Sequence, residues 1–539
     1  MSLSKNNKSI NNKQINKTKN KTLEEKLQII KEKIISIEIN EDIISKLLNY
    51  QIPHLQNLIF SIQRNNVVLD SSDTGTGKTY TAIALCKQLN LKPLVVCPKS
   101  VVYNWHNICN IFDIVPLGIV NYETLKRNKY YHDMENFTED IRETCPYINI
   151  IKADKLDITT NLPIRDKNGN IKKIIQRIDW NLPNNTLIIY DEAHVGKNAL
   201  CAPKPSINAK LIVSIKTVLD QVKVNPNKKI YCLILSATPT DKPDRFDVIL
   251  HLFDLYRPYV KKSYKQYLKS LGDNNDIIMR KIHTILYPLR ASRMKISDIP
   301  SGTFMKNDVQ AVIYPVSQEI ANSVEEQHRI IHEAMNSLRE KGDSDGLGAI
   351  IRAQNKIEVL KTGVIVNECV QYLQENKSIV IFINFNNSKQ VIVDKLLESG
   401  IINLDKIGFI DGNQTISERN DTVKKFQNDE LYVLLAHIKA GGVGISLHDI
   451  KGDRQRVTLI NSNWSAIDLK QALGRIYRAG AKTDSIQRIV YCKSFDTSNL
   501  SRSNTLTMSI EEKIANNINE KLKNIEILNN SDLTCALKI

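Results

Sequence analysis

From about residue 66 onward, short apolar runs alternate with amphipathic stretches that have helical spacing. The run Val67–Leu69 leads into a glycine-rich loop, and a helix is predicted over Tyr80–Leu89 before the next run, Leu94–Cys97. The later runs Leu187–Tyr190 and Ile230–Leu235 lack a period of two, which is typical of strands buried on both faces. The pattern predicts an α/β fold in which helices cover a parallel sheet.

The same alternation returns in the second half of the chain. Residues 301–375 have a mostly helical pattern and are predicted to form a helical connector. Beyond them, apolar runs predict strands at Ile379–Ile383, Ile407–Ile410, Tyr432–Leu435, Val457–Ile460 and Ile489–Tyr491, with helices over Val391–Glu398 and Glu418–Phe426. We therefore predict two α/β lobes, residues 23–300 and 376–500, on either side of the connector.

Both ends of the chain and one insertion carry local signals. Residues 1–22 are nearly all Lys, Asn, Ser, Thr and Gln and include no acidic residue, which predicts a disordered basic tail. In the C-terminal segment, residues 501–539, Ser509 and Glu512 form the capping-box pattern of a helix start. The segment Asp166–Asn170 predicts a hairpin turn within an insertion of the first lobe.

The charge balance adds a weak indication of the partner. A net charge of +16 favours a polyanion such as nucleic acid. Heavy use of Asn, Ile and Lys offers another explanation, because an A+T-rich coding sequence would raise all three. None of the nine cysteines forms a C-x-x-C pair, so no zinc module is predicted. No apolar stretch is long enough to span a bilayer, and we expect a soluble intracellular protein.

The strongest chemical signal is the loop Asp73-Thr74-Gly75-Thr76-Gly77-Lys78-Thr79. Its glycines allow backbone N–H groups to turn toward a phosphate, and the helix that follows adds the positive end of its dipole. Lys78 is expected to reach the β and γ phosphates of ATP, and the Thr79 hydroxyl to bind Mg²⁺. Ser72 stands where the strict pattern has glycine, but the strand–loop–helix context supports a phosphate-binding loop.

Two further groups of polar residues follow predicted strands. Asp191 and Glu192 come directly after the strand Leu187–Tyr190, at the end where parallel sheets bind their ligands. Asp191 is predicted to hold Mg²⁺, and Glu192 to orient and deprotonate the attacking water. Ser236 and Thr238 follow the next strand and could link the γ-phosphate to movement.

The second lobe offers a glycine cluster and a pair of arginines. Gly444 closes the segment Gly441–Gly444, where a close approach to a phosphate or to the other lobe is possible. Arg475 and Arg478 lie about one helical turn apart. An arginine that stabilises the charge of the transition state from another lobe contributes about 10³ to 10⁵ in rate. These residues predict a site that hydrolyses ATP only when the lobes close.

In order and spacing these motifs resemble the superfamily 2 helicase-type ATPases, and most of all their SNF2-like branch. The segments that carry the resemblance are Leu94–Ser100 with Asn104 and Trp105, Asn121–Leu125, the DEAH-containing run 191–198, Asp411–Asn413 with Glu418, Arg419 and Phe426, Ala440–Gly444, Trp464, Gln471–Gly480 and Ser509–Lys513. Together they cover about residues 50–525. The resemblance implies two RecA-like lobes, a bracing C-terminal helix, ATP with Mg²⁺, and movement on duplex DNA rather than strand separation.

The resemblance also implies roles for single residues. Gln56 matches the glutamine that reads adenine, and Gln471 joins Ser236 and Thr238 as a coupling residue. Trp105 and Lys439 are the candidate contacts to nucleic acid.

The chain also departs from the branch. It has Ser-Ala-Thr at 236–238 in place of Thr-Gly-Thr, and Ala479-Gly480-Ala481 in place of Ile-Gly-Gln. The connector is short and no chromatin-reading module is visible, which argues against nucleosome remodelling. Size and composition would fit a compact member such as those of large DNA viruses. Two alternatives stay open: a helicase that separates RNA or DNA strands, and a non-catalytic nucleic-acid-binding subunit of a transcription complex.

Overall fold

The computed structural model describes residues 23–131, 142–157, 159–166, 168–196, 206–225, 227–258, 263–300, 302–341, 345–412, 414–438, 444–461, 465–494 and 510–530. Several predictions lie outside these ranges. They are the tail, the cap at Ser509, Lys439, Trp464 and the glycines 441 and 442.

The first lobe is built around a six-stranded parallel sheet of order β10-β1-β9-β8-β2-β3. Its strands are β1 (Val67–Asp70), β2 (Lys92–Cys97), β3 (Gly118–Asn121), β8 (Thr186–Tyr190), β9 (Ile230–Leu235) and β10 (Ala291–Ser292). Its helices are α1 (Leu23–Ile35), α2 (Glu41–Ile44), α3 (Gln51–Asn65), α4 (Lys78–Gln88), α5 (Val102–Ile111), α6 (Tyr122–Leu125), α7 (Ile207–Val224), α8 (Asp247–Leu252), α9 (Tyr264–Leu271) and α10 (Asn275–Leu286).

This sheet has an apolar core on each face. Val67 and Leu69 of β1 point into one core, whereas Val68 points into the other. Both faces are covered by helices, so β1 and β8 bury every side chain and read as continuous apolar runs. The α/β interpretation of the first lobe is confirmed.

An insertion between β3 and β8 adds two small antiparallel pairs. They are β4 (Lys129–Tyr131) with β5 (Arg142–Thr144), and the longer hairpin β6 (Ile148–Asp154) with β7 (Lys173–Trp180). Within the hairpin the N–H of Asp166 donates to the carbonyl of Asn170 at 2.8 Å, which confirms the predicted turn.

The second lobe holds another six-stranded parallel sheet, of order β11-β16-β15-β12-β14-β13. Its strands are β11 (Asn307–Val316), β12 (Ser378–Ile383), β13 (Ile407–Ile410), β14 (Val433–His437), β15 (Arg456–Asn461) and β16 (Ser485–Ser494). Its helices are α11 (Gln318–Lys341), α12 (Asp345–Leu360), α13 (Thr362–Gln374), α14 (Asn386–Glu398), α15 (Ile416–Gln427), α16 (Ala466–Leu473) and α17 (Ile510–Asn530).

The stretch predicted as a helical connector, residues 301–375, begins with a strand instead. Residues 307–316 form β11, which pairs with β16 along its whole length. The helical interpretation was wrong there because β11 lies at the sheet edge, where exposed polar residues interrupt its apolar pattern. The rest of the stretch is helical, as predicted, in α11 to α13.

Helix α17 is fixed to the second lobe by a buried polar cluster, the Glu511 cluster, made of Glu511, Lys361, His328 and the backbone of Cys492. The Glu511 carboxylate lies 2.5 Å from the Lys361 ammonium and 3.1 Å from Nε2 of His328, and accepts from the N–H of Cys492 at 3.1 Å. The four residues come from α17, β16 and the helices α11 to α13, so one carboxylate joins three parts of the lobe.

Within the described ranges, no helix is both long and apolar enough to cross a membrane.

Candidate active site between the lobes

The loop between β1 and α4 has the geometry that the sequence predicts. Gly75 and Gly77 have φ angles of +85° and +91°, which favour glycine. The Thr76 hydroxyl donates to the carbonyl of Asp73 at 2.8 Å and closes the loop. The Lys78 ammonium lies over the loop and donates to the carbonyls of Ser72 and Asp73 at 2.9 and 3.1 Å. Thr79 follows in the first turn of α4 and is partly exposed.

The loop rests on a buried network at the end of β1. The Asp70 carboxylate lies 3.1 Å from Nε2 of His54, whose Nδ1 is 2.8 Å from the Ser292 hydroxyl. Burial alone would raise the pKa of Asp70, but His54 and the Lys78 ammonium lower it below its usual value. A carboxylate therefore stays ionised beneath the loop, opposite Lys78.

A second carboxylate fixes the outer side of the loop to the chain that leads to the other lobe. Asp73 accepts from the Arg293 guanidinium at 2.7 Å and from the N–H of Ile296 at 3.1 Å. Burial raises the pKa of Asp73, but Arg293 and Lys470 bring it below the usual range. Asp73 thus holds the loop in place through its side chain.

Two glutamines of α3 have different surroundings. The Gln56 amide donates to the carbonyls of Ile35 and Ile37, at 3.1 and 2.8 Å. Gln51, in contrast, is buried and donates to the carbonyl of Thr76 in the loop at 3.0 Å. The sequence reasoning overlooked Gln51, although it shares the buried face of α3 with His54, Leu55 and Leu58. A polar residue on an apolar helix face was the available signal.

The acidic pair follows β8 directly. Oδ2 of Asp191 accepts from the Trp105 indole at 3.0 Å, and its carbonyl accepts from the Tyr122 hydroxyl at 2.8 Å. Burial and the adjacent Glu192 raise the pKa of Asp191. The ring of Trp105 is completely buried, so in this structure it cannot lie against nucleic acid. The prediction of Trp105 as a nucleic-acid contact is therefore corrected: its ring orients Asp191.

Glu192 has a φ angle of +51°, which is unusual for a residue with a side chain. Its carboxylate lies 3.2 Å from Nδ1 of His194. Burial by itself would raise the pKa of Glu192, but His194, Lys78 and Arg475 hold it well below its usual range. The same His194 nitrogen is 3.3 Å from the Ser236 hydroxyl, which in turn accepts from the N–H of Thr238. His194 thus connects the predicted coupling residue Ser236 to Glu192.

The second lobe contacts this surface through helix α16 and the turn after it. The Gln471 amide donates to Oε2 of Glu192 at 3.1 Å. A Cβ built on Gly474 would lie 2.2 Å from Oγ1 of Thr74, and one on Gly75 would lie 3.2 Å from Cγ of Arg478. The two lobes therefore touch at the phosphate loop and at the acidic pair. At the phosphate loop, a glycine lies on one side of both close approaches.

Both predicted arginines are buried at this contact. Arg475 donates to the carbonyls of Gln471 and Ile445, at 2.8 and 3.2 Å, and Arg478 to that of Ile445 at 3.1 Å. Burial and the neighbouring Arg475 lower the pKa of Arg478 to about 9. Nε of Arg478 is buried and has no partner among the described residues. Two guanidinium groups held together in this way favour a bound anion.

Gly444 also lies at the lobe interface. Its φ angle is +78°, and a Cβ there would lie 1.9 Å from Cγ1 of Val101 and 3.1 Å from the Ser100 hydroxyl. Of the two approaches that the sequence allowed, to a phosphate or to the other lobe, the contacts of Gly444 are with the other lobe.

Two family models match the chain. The model for the type III restriction enzyme res subunit matches residues 44–241, and the model for the helicase conserved C-terminal domain matches residues 361–480. The first range contains the phosphate loop and the acidic pair, and the second contains both arginines.

Single proteins are similar over longer stretches. A putative ATP-dependent RNA helicase of Acanthamoeba polyphaga mimivirus is 32% identical over 91% of this chain and 84% of its own length. Chromodomain-helicase-DNA-binding protein 8 of Danio rerio is 21% identical over 84% of the chain, which spans 18% of that protein. A solved structure, the Sulfolobus solfataricus SWI2/SNF2 ATPase core in complex with dsDNA, is 17% identical, covers 89% of this chain and 97% of its own, and has a TM-score of 0.29. On the mimivirus match and the motifs of both lobes, the chain belongs to the superfamily 2 helicase-type ATPases, which are ATP-hydrolysing enzymes.

Proposed function

We propose that this ATPase hydrolyses ATP at the contact between its lobes and uses the closure to move along duplex DNA. The contact between Gln471 and Glu192 carries the proposal, because it joins the arginine-bearing helix of one lobe to the acidic pair of the other. A change in the phosphates can therefore reach both lobes through a single hydrogen bond.

The phosphates of ATP would lie against the loop Asp73–Thr79. The N–H groups around Gly75 and Gly77 face them, and Lys78 exchanges its two loop carbonyls for phosphate oxygens. Thr79 and Asp191 would hold Mg²⁺, since a hydroxyl and a carboxylate oxygen suit this hard cation. The ion would supply neutralisation of phosphate charge. Gln56 would read adenine, and Gln51 contacts the loop at the carbonyl of Thr76.

Hydrolysis also needs a base and compensation for developing charge. Glu192 is held in its ionised form by His194, Lys78 and Arg475, which suits a residue that orients and deprotonates water. Arg475 and Arg478 would stabilise the transition state from the second lobe. Both guanidinium groups are buried and donate to backbone carbonyls, which charged phosphate oxygens would replace.

Coupling between ATP and movement would pass through His194. This ring lies between Glu192 and Ser236 and is also 3.3 Å from the Gln471 amide. Three polar groups, from three segments, therefore meet at one imidazole. Loss of the γ-phosphate would change the charge beside Glu192 and, through it, the contacts of Ser236 and Gln471.

The track is proposed to be duplex DNA. A net charge of +16 fits a phosphate backbone, and the Danio rerio relative is named as a DNA-binding protein. The name of the mimivirus relative favours the rival function, separation of RNA strands. Measuring triplex displacement beside duplex unwinding distinguishes the two. Our proposal predicts ATP-dependent displacement of a third DNA strand, and unwinding of an RNA duplex without triplex displacement would contradict it.

A matched test addresses the remaining alternative, a non-catalytic binding subunit. ATP turnover should rise on adding duplex DNA and disappear in Lys78→Ala and Glu192→Gln. Single-stranded DNA and RNA, measured in parallel, should stimulate less. Absence of turnover with every nucleic acid would favour the non-catalytic alternative.

A further inference from the structure

Most side chains of the hairpin β6–β7 are at least partly exposed, and those of Ile148, Ile175 and Ile178 are buried. We call residues 152–175 the distal hairpin. Its strands pair in antiparallel register, with Asp154 opposite Lys173, and the tip is closed by bridges between Leu156 and Pro163 and between Arg165 and Ile171. The tip is thus an ordered part of the fold.

The direction of the hairpin follows from its contacts with α7. The Trp180 indole donates to the Ser214 hydroxyl at 2.7 Å, and one turn earlier on the helix the Lys210 ammonium donates to the carbonyl of Ile175 at 3.1 Å. At this level the hydroxyl of Tyr190, the last residue of β8, reaches the carbonyl of Leu211 at 3.3 Å. The part of the hairpin between Ile175 and the tip therefore projects past the carboxyl end of the strands, where Asp191 lies.

One face of this projection has two adjacent lysines. The N–H of Lys155 donates to the carbonyl of Lys172 at 2.7 Å, in the next step of the ladder after Asp154 and Lys173. Because side chains alternate along a strand, Lys155 and Lys172 share the face opposite Ile175, together with the exposed Ile174. Among the described residues neither ammonium has a hydrogen-bond or ion-pair partner. Like charges opposite each other destabilise a hairpin.

The carboxylates of the hairpin do not balance these lysines. Asp157 accepts from the N–H groups of Thr159 and Thr160, and Asp166 from those of Asn168 and Asn170, so both are used by turns. Asp154 is exposed, but it lies on the other face, opposite Lys173. Residues 152–173 contain six basic and three acidic side chains: Lys152, Lys155, Arg165, Lys167, Lys172 and Lys173 against Asp154, Asp157 and Asp166.

We propose that the distal hairpin binds the phosphate backbone of the nucleic acid on which the enzyme acts, with Lys155 and Lys172 as its principal contacts. This inference rests on the proposed function. An unpaired cross-strand lysine pair gains stability when phosphates lie against it, and binding releases counterions. A protein partner would instead favour the exposed Leu162 and Ile174, and a merely solvated hairpin would not need two lysines face to face.

The test is the affinity of the full chain for a fluorescein-labelled duplex DNA of mixed sequence, measured by anisotropy over a series of salt concentrations. For the double variant Lys155→Glu with Lys172→Glu we expect binding about tenfold weaker and a salt slope smaller by about 2. The loss should be similar for duplexes of different sequence, since phosphate contacts do not read bases. ATP turnover without nucleic acid should be unchanged, since neither lysine contacts the cleft.

The matched control is Lys228→Glu with Lys229→Glu, which makes the same charge change at two exposed residues. They lie just before β9, at the amino end of the strands. This control should bind within about twofold of the parent, because surface charges far from the contact act only through the screened field. Equal affinity and equal salt slope in parent and hairpin variant would overturn the inference while leaving DNA-stimulated turnover intact. If the parent itself binds no nucleic acid, the proposed function fails and the inference with it.

Discussion

Two buried polar networks join distant parts of this chain, and they differ in their balance of charge. In the Glu511 cluster a carboxylate meets the Lys361 ammonium, His328 and a backbone N–H, all contributed by the second lobe. At the contact between the lobes, Arg475 and Arg478 donate to backbone carbonyls, and the buried Nε of Arg478 has no partner among the described residues. In the first network a carboxylate and an ammonium meet directly, and in the second the two guanidinium groups meet neutral carbonyls.

The first network is expected to stabilise the fold, and the second to take part in ATP turnover. Removing either partner of a buried ion pair strongly destabilises the fold, because the remaining charge is left in a low-dielectric interior. Buried guanidinium groups that meet neutral carbonyls are instead stabilised by an anion that binds and leaves. Changes in the Glu511 cluster should therefore lower stability, whereas changes in the cleft should lower turnover.

The largest effect is expected from Arg478→Ala. Removing a guanidinium that stabilises transition-state charge should lower the rate of ATP hydrolysis by about 10³ to 10⁵, measured in single turnover with duplex DNA present. Binding of a fluorescent ATP analogue should persist, because the loop and Lys78 remain. The thermal midpoint should not fall, because the lost side chain carries an uncompensated charge.

Arg329→Ala is the matched control for this prediction. Arg329 is exposed on α11 and pairs with Glu326 and Glu333 of the same helix. Turnover in this variant should equal that of the parent. Hydrolysis at the parent rate in Arg478→Ala would mean that the cleft is complete without it.

Glu511→Gln tests the contribution of the Glu511 cluster to stability. The substitution keeps the shape but leaves the buried Lys361 without its carboxylate, which should cost about 3 to 5 kcal/mol of unfolding free energy of the second lobe. Urea unfolding followed by far-UV circular dichroism measures this loss of unfolding free energy. Glu512→Gln, which removes an exposed pair with Lys493, should cost less than about 1 kcal/mol, and equal losses in both would refute the contrast.

The pH dependence of stability should reveal the same cluster. Burial raises the pKa of Glu511, but Lys361 and His328 lower it from 4.5 to about 2. A carboxyl with a lowered pKa stabilises the fold above its unfolded pKa and loses that contribution as the pH falls toward the folded value. The parent should therefore lose roughly 3 kcal/mol between about pH 5 and pH 2 that Glu511→Gln does not lose. Parallel acid-unfolding curves would contradict this assignment.

Gln471→Ala tests the hydrogen bond that crosses the cleft. A hydrogen bond to a charged group contributes about 1.5 to 3 kcal/mol, so turnover stimulated by DNA should fall about 10- to 150-fold. Stability should barely change, and Gln390→Ala, on an exposed face of α14, should leave turnover intact. A loss of thermal stability without a loss of stimulation would place Gln471 in the packing of the lobe rather than in coupling.

Much of this architecture could be predicted from the sequence because its strongest signals are local. Buried parallel strands read as apolar runs, so β1, β8, β9 and β12 were found within one or two residues. The loop Asp73–Thr79 was found for the same reason, since its glycines and Lys78 act within one turn of chain.

Features that depend on tertiary contacts were not predicted. Nothing local distinguishes Trp105, which bonds to Asp191, from an aromatic residue on a surface, and β11 gains its partner from β16 across the chain. Gln51 and Gln56 lie on one helix, and only the packing of α3 against the loop separates their surroundings. The Glu511 cluster likewise joins segments that no motif links.

Gly474→Ala tests most directly whether ATP is hydrolysed only where the two lobes meet. The added methyl group would collide with Thr74 of the other lobe, while its own φ angle of −76° suits alanine. Single-turnover hydrolysis should fall by about 100-fold, as expected for a displacement of about 1 Å, with ATP-analogue binding retained. Gly363→Ala, which meets only the tip of a lysine, should be neutral. Hydrolysis by Gly474→Ala at the rate of the parent would contradict the claim.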